Sequence, residues 1–162
     1  MEIKKPIKRS KAIVEFSRDH HFALLLVWKI REGLKKSIEP ARIIRYVIHF
    51  YEVELISHFT EEENILFTKL PTDNPQRIKA ETDHKNINQM IDELKKDTGD
   101  NILLVKFADT LEKHIRFEER DLFNYMQENI PEVVLNEIAS LLRTREHEKD
   151  TDWDDIFWEI KK

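Results

Sequence analysis

The chain has 162 residues, 27 basic against 32 acidic side chains, no cysteine and two glycines. The length suits one domain of about 100–200 residues. The missing cysteine excludes disulfides, thiolate metal sites, iron–sulfur clusters and a cysteine nucleophile. A net charge of −5 offers no footprint for nucleic acid. Two glycines leave little for phosphate loops or the tight turns of an all-β sandwich.

The basic opening MEIKKPIKRSKAIVEF leads into no apolar core of signal-peptide type. The longest apolar stretch, Phe22 to Trp28, is too short to span a bilayer. The expectation is a soluble, cytoplasmic protein with neither a membrane nor a nucleic-acid partner. Apolar residues at helical spacing between the glycine and proline breakers predict the elements. A first helix runs from Ser10 to Lys36. A second starts at Glu39–Pro40, with proline in the first turn, and reaches Leu70. PTDNP (Pro71–Pro75) is a loop in which Asn74 caps a third helix, Pro75 to Lys96. Gly99 is a stop and Asp100 the cap of a fourth helix ending near Glu128. A shorter fifth helix spans Pro131 to Glu146. The tail TDWDDIFWEI is too aromatic for a solvated end and is expected to dock on the bundle or on a partner. Short connections between four long helices imply an all-α, antiparallel up-down-up-down four-helix bundle, about 10–128, within a single domain spanning 1–162.

Two segments share the pattern His-x-x-x-Glu-Glu-x-x-Leu-Phe: HFTEEENILF (His58–Phe67) and HIRFEERDLF (His114–Phe123). Successive helical residues turn by about 100°. On that wheel Ile13, Phe16, Leu24 and Val27 share the direction of His20, while His21 falls at the edge of the stripe. Ile44, Val47, Tyr51 and Ile65 cluster around His58, and Glu62 joins one turn later. Ile87 and Ile91 flank His84. Leu103, Phe107 and Tyr125 bracket His114, and Glu118 follows one turn on. Glu119 swings away toward solvent, and Glu54 projects near His58 as an ordinary polar contact. His49 and His147 read as surface residues.

One histidine on an apolar face is ordinarily a satisfied core residue, and one His-x-x-x-Glu pair is ordinarily a surface pair. Four helices agreeing at once is a different matter. Six polar groups aimed into one core are costly unless something satisfies them. A pair of divalent or trivalent metal ions does so, since imidazole and carboxylate suit iron, manganese or zinc.

The segments RDHHFALL, HFTEEENILF, ETDH and HIRFEERDLF resemble the hemerythrin-like (HHE) cation-binding family over Ser10 to Glu128. The resemblance implies a four-helix bundle around two iron ions joined by an oxo or hydroxo bridge, with zinc or manganese as substitutes. The implied ligands are His20, His58, Glu62, His84, His114 and Glu118, with Glu62 and Glu118 bridging. His21 is the alternative on the first helix; facing favours His20. Oxygen-carrying members place a second histidine on the third helix, four residues from the first. Here Ala80 and Asn88 occupy the two candidate positions. The shortfall leaves about one open coordination position per metal at six ligands each, unless His21 or Glu54 fills it. The resemblance thus implies a sensing, carrying or iron-handling protein that binds O2 or nitric oxide. The alternatives are a di-iron enzyme scavenging peroxide or nitric oxide, and a metal-stabilised interaction module. No separate acid–base constellation accompanies the ligands, so the residues do not favour turnover.

Overall fold

A computed structural model describes residues 8–96 and 101–159, which are mostly helical with no strand among them. Helix α1 is Lys11–Lys35, and the Ser10 side chain caps it by accepting from the Ile13 N–H. Its end is a left-handed cap. Ser37 has φ 57°, while the Ile38 and Ser37 N–H groups donate to the Gly33 and Leu34 carbonyls. Gly33 lies inside α1, where a Cβ would sit 2.8 Å from Ile43 Cδ1 and 2.9 Å from Phe157 Cε2.

The second rod, α2 (40–69), is continuous in right-handed helical geometry but not uniform. Pro40–Phe50 and Ile56–Glu61 are α-helical, Tyr51–Leu55 and Glu62–Leu66 are π turns, and Phe67–Lys69 closes as a 3₁₀ turn. Helix α3 is Pro75–Lys96, and Asn74 Oδ1 accepts from the Gln76 and Arg77 N–H groups as the expected cap. The fourth rod, α4 (101–129), joins Asn101–Phe117, a π turn at Glu118–Leu122, and Phe123–Asn129. The Gly99 stop and the Asp100 cap lie outside the described residues.

Helix α5 is Glu132–Leu141, shorter than the expected span to Glu146. Residues 142–149 are instead without regular structure. The helical composition of RTREHEKD is overridden because Arg143, Arg145 and His147 reach carboxylates on α1 and α2. The tail docks on the bundle: Phe157 and Trp158 are buried. Buried Lys29 donates to the Tyr46 hydroxyl at 2.9 Å and to Asp150 at 2.6 Å, with its Nζ 4.2 Å from the Trp158 ring centroid. Among the described residues no helix is long and apolar enough to cross a membrane.

Two apolar clusters make the core. One holds Ala12, Phe16, Leu66, Phe67, Ala80, Leu122 and Phe123 with their neighbours; the other holds Ala23, Val47, Ile87, Ile91, Leu104 and Phe107 with theirs. On each long helix the candidate histidine lies between the stretches that join these clusters, or at the edge of one.

Candidate metal centre

His20, His58, Glu62, His84, His114 and Glu118 are all buried, and Glu62 and Glu118 expose no surface. The structure brings them together in two overlapping quartets that could hold metal ions. One is His20, His58, Glu62 and Glu118; the other is Glu62, His84, His114 and Glu118. Within each quartet the donor atoms lie within 4.8 Å of one another. Both glutamates belong to both quartets. Glu118 Oε1 is 3.1 Å from Nε2 of His20 and of His114. Glu62 Oε1 is 2.9 Å from His58 Nε2 and 3.3 Å from His84 Nε2.

Proximity is not satisfaction. Nε2 of His58, His84 and His114, both oxygens of Glu62 and Oε2 of Glu118 have no hydrogen-bond partner among the described residues. Leaving a buried polar atom unpaired costs on the order of 1–3 kcal/mol. Six such atoms in one place mark a missing group that would accept all of them. The donor set, imidazole nitrogen and carboxylate oxygen, fits a transition-metal ion.

The opposite ring nitrogens are all engaged. Nδ1 of His58 meets Asp19 at 2.8 Å, and Nδ1 of His114 meets Asp83 at 2.9 Å. Nδ1 of His20 meets Glu119 at 2.8 Å, and Nδ1 of His84 meets Glu63 at 2.9 Å. A carboxylate can only accept, so each Nδ1–H donates and each Nε2 faces the cluster. These outer partners follow a repeat that the doublets Asp19–His20, Asp83–His84, Glu62–Glu63 and Glu118–Glu119 carry in the sequence. Each doublet supplies one group to the centre and one to a ring on a neighbouring helix. Glu119 is thus not turned to solvent, because about 100° from the core direction is the flank of the rod, where α1 packs. Glu61 is buried against Arg145, Glu62 is in the centre and Glu63 holds His84.

The Leu-Phe ending of each motif has a packing role. Phe123 stacks on His20 with centroids 5.4 Å apart, and Phe67 stacks on His84 at 5.6 Å. In both motifs a π turn joins the glutamate to the phenylalanine: the Phe67 N–H donates to the Glu62 carbonyl and the Phe123 N–H to the Glu118 carbonyl. Such widened turns recur at functional sites.

The electrostatics follow from this geometry. Burial disfavours each charged ring, but the carboxylates on both sides outweigh it. They push His20 and His114 up to about 9, His58 to about 10 and His84 to about 8. Glu118 shows the converse: burial pushes its carboxyl up, yet His114 and His20 hold it well below the ordinary value. Raised in this way, the rings set protons in competition with an incoming cation.

The remaining candidates lie elsewhere. His21 is exposed and packs on Phe22. Asn88 accepts from the Tyr51 hydroxyl at 2.7 Å. Glu54 accepts from His147 Nδ1 at 2.9 Å. His49 and His147 are not plain surface residues: both are half-buried and fasten the C-terminal segment. His49 does so through Glu148 at 2.7 Å, and His147 through Glu54 and Asp19. A cavity of about 10 Å³ adjoins the centre, with Ala23, Leu55, Leu111 and Ile115 opposite His20, His58 and His114. It has room for about one water-sized molecule.

The sequence matches the family described as Hemerythrin HHE cation binding domain over residues 11–126. No curated protein and no solved structure matches the chain. The family match spans all four rods that supply the centre, and on that basis the chain belongs to the hemerythrin HHE cation-binding family.

Proposed function

We propose that this protein holds two iron ions at His20, His58, Glu62, His84, His114 and Glu118, and binds a small diatomic ligand, O2 or nitric oxide, beside them. The observation that carries the reading is the sharing of both buried glutamates by two donor quartets whose facing atoms lack other partners. Two carboxylates common to both quartets suit a pair of ions and not a single one. Charge supports it as well. With the rings neutral, as ligands must be, six carboxylates carry a formal charge of −6, against which Arg9, Lys79, Arg143 and Arg145 supply four positive charges.

The bundle that frames the centre is taken as antiparallel, up-down-up-down. On α1 and α3 the apolar stretch before the histidine joins one cluster and that after it the other; on α2 and α4 the order reverses. Bound iron supplies reversible ligand binding and electron transfer. The chain's own part is to orient four rings through their Nδ1–H bonds, keep bulk water out with Phe59, Phe67 and Phe123, and leave one small apolar space open. Such groups tune metal affinity and redox potential.

Elemental analysis with an absorption spectrum in air tests the reading. The expected result is two irons per chain and a visible band that appears on aeration of the reduced protein and reverts under vacuum. Irreversible loss of the band with peroxide or nitric oxide consumed over many turnovers points to a scavenging enzyme instead. Zinc or manganese at full occupancy with no iron uptake overturns the assignment of iron.

A further inference from the structure

A second cavity, of about 30 Å³, is walled by Phe22, Leu25, Lys29, Tyr46 and the exposed residues Glu148 and Asp150, whereas the wall of the one beside the centre is buried except at Glu54. The two cavities have two wall residues in common, Phe50 and Glu54. We infer that a small neutral ligand reaches the centre through these two chambers in series, with Phe50 and the Glu54–His147 pair as the partition between them. The inference rests on the gas-binding reading above.

The partition is built to move without moving a helix. Phe50 is the last residue before the π turn Tyr51–Leu55, and Glu54 lies within that turn. Glu54 is held by His147, whose ring stacks on Phe22 at 3.8 Å between centroids. His147 lies in the stretch 142–149, which has no regular structure, so side-chain contacts hold its position. A rotamer change at His147 breaks its bond to Glu54 and its stacking on Phe22 and frees Glu54. The far end of the centre offers no comparable path: Leu66, Phe67, Leu122 and Phe123 expose no surface there. Three wider surface hollows, around Gln89 and Lys106, Arg9 and Gln127, and Arg120 and Tyr125, share no wall residue with the inner chamber. The outer wall at Glu148 and Asp150 lies beyond the residues of the family match.

Two measurements test this. In the metal-free full chain, dissolved O2 under pressure is a neutral paramagnetic probe of methyl relaxation. Leu25 in the outer chamber and Ala23, Leu55, Leu111 and Ile115 in the inner one are expected to relax faster than other buried methyls. Phe50→Trp, which fills the partition, is expected to abolish the enhancement at the inner methyls. In the iron-loaded chain, stopped-flow binding of nitric oxide reads the door itself. His147→Ala is expected to raise association and dissociation rates several-fold together with affinity unchanged, since a door alters rates and not equilibrium. His147 lies outside regular structure, so this variant keeps the test valid if Phe50→Trp fails to fold. Inner methyls unaffected by O2, or nitric oxide rates in His147→Ala equal to the native rates, overturn the inference. Absence of any nitric oxide spectrum in iron-loaded protein overturns the functional reading alone, because the methyl pattern needs no metal.

Discussion

Asp83 stands next to His84 in the chain but serves His114 on the neighbouring helix, its Oδ2 2.9 Å from the Nδ1 of that ring. Asp19 does the same for His58 across α1 and α2. Each aspartate thus fixes which ring nitrogen is free for the centre. Its other close partner is the exposed Lys79, so Asp83 is the cleaner site to test. Asp83→Asn is expected to lower metal affinity by about 10–100-fold, the usual effect of losing such an outer partner. Competition with a chelator measures it, with helicity unchanged. Native affinity in the variant would show that His114 needs no orienting carboxylate.

Glu62→Ala and Glu118→Ala are expected to abolish loading of two metals per chain, because each removes a donor common to both quartets. His49→Ala, at the tail contact with Glu148 and Trp153, is expected to load fully. Elemental analysis of the three proteins decides. Full metal content in either glutamate variant refutes the bridging assignment.

Arg145 lies between Asp19 and Glu61, all three buried, at 3.1 Å from Asp19 and in direct contact with Glu61. Its removal takes a guanidinium from two buried carboxylates, leaving Glu61 with Arg143 and Asp19 with His58, Arg143 and His147. Arg145→Ala is expected to cost roughly 1–3 kcal/mol of stability, read by urea titration. Arg145→Lys rescues only partly, since a lysine lacks the planar fork that meets both carboxylates. A loss within the noise of the titration would mean that water replaces the guanidinium freely.

Gly33→Ala forces a methyl against Ile43 and Phe157, both at under 3.0 Å from the position it would take. Both neighbours belong to the apolar core, so overpacking of roughly 1–3 kcal/mol is expected. Loosening of the tail is expected to appear as a change in the emission of Trp153 and Trp158. Native stability would show that the tail adapts without strain.

The tail also carries a pH dependence. Hydrogen bonds from Arg42 hold the Asp155 carboxyl below its ordinary value of 3.8, against a smaller effect of burial. A carboxyl with a lower pKa when folded adds stability above its unfolded value, and the gain is lost as pH falls through the folded one. The pair is partly exposed, so the effect is modest and weakened by salt. Arg42→Gln is expected to be less stable than the native protein at pH 6, and the difference to shrink progressively as pH falls below 3.8. A deficit independent of pH would assign Arg42 a packing role only.

Helical spacing was enough to place His20, His58, His84 and His114 on buried faces, because facing is a local property of one helix. The same wheel mislaid Glu119 and offered no partner for Glu61, Glu63 or Asp19. It reports the angle from one helix's own core direction and says nothing of which neighbour lies along its flank. Their partners are 21 to 126 residues away in sequence. The doublets Asp-His and Glu-Glu were a readable signal, since each recurs once at matching places in the two halves of the bundle. The π turns at Glu62 and Glu118 shift the facing beyond them: Ile65 and Tyr125, which uniform spacing sets with the histidines, are half-buried, while Leu66, Phe67, Leu122 and Phe123 are fully buried.

By itself the order of residues determined an all-helical chain, four buried imidazoles and two buried carboxylates one turn beyond two of them. These follow from periodicity and capping, which act over a few residues. Only the tertiary structure decided that both carboxylates are common to two quartets, that every ring is steered from a different helix, and that residues 142–149 leave helical form to lie across α1 and α2. Those outcomes depend on distances between helices. Short-range preferences yield there because pairing buried charges outweighs the few tenths of a kcal/mol per residue at stake in helix propensity.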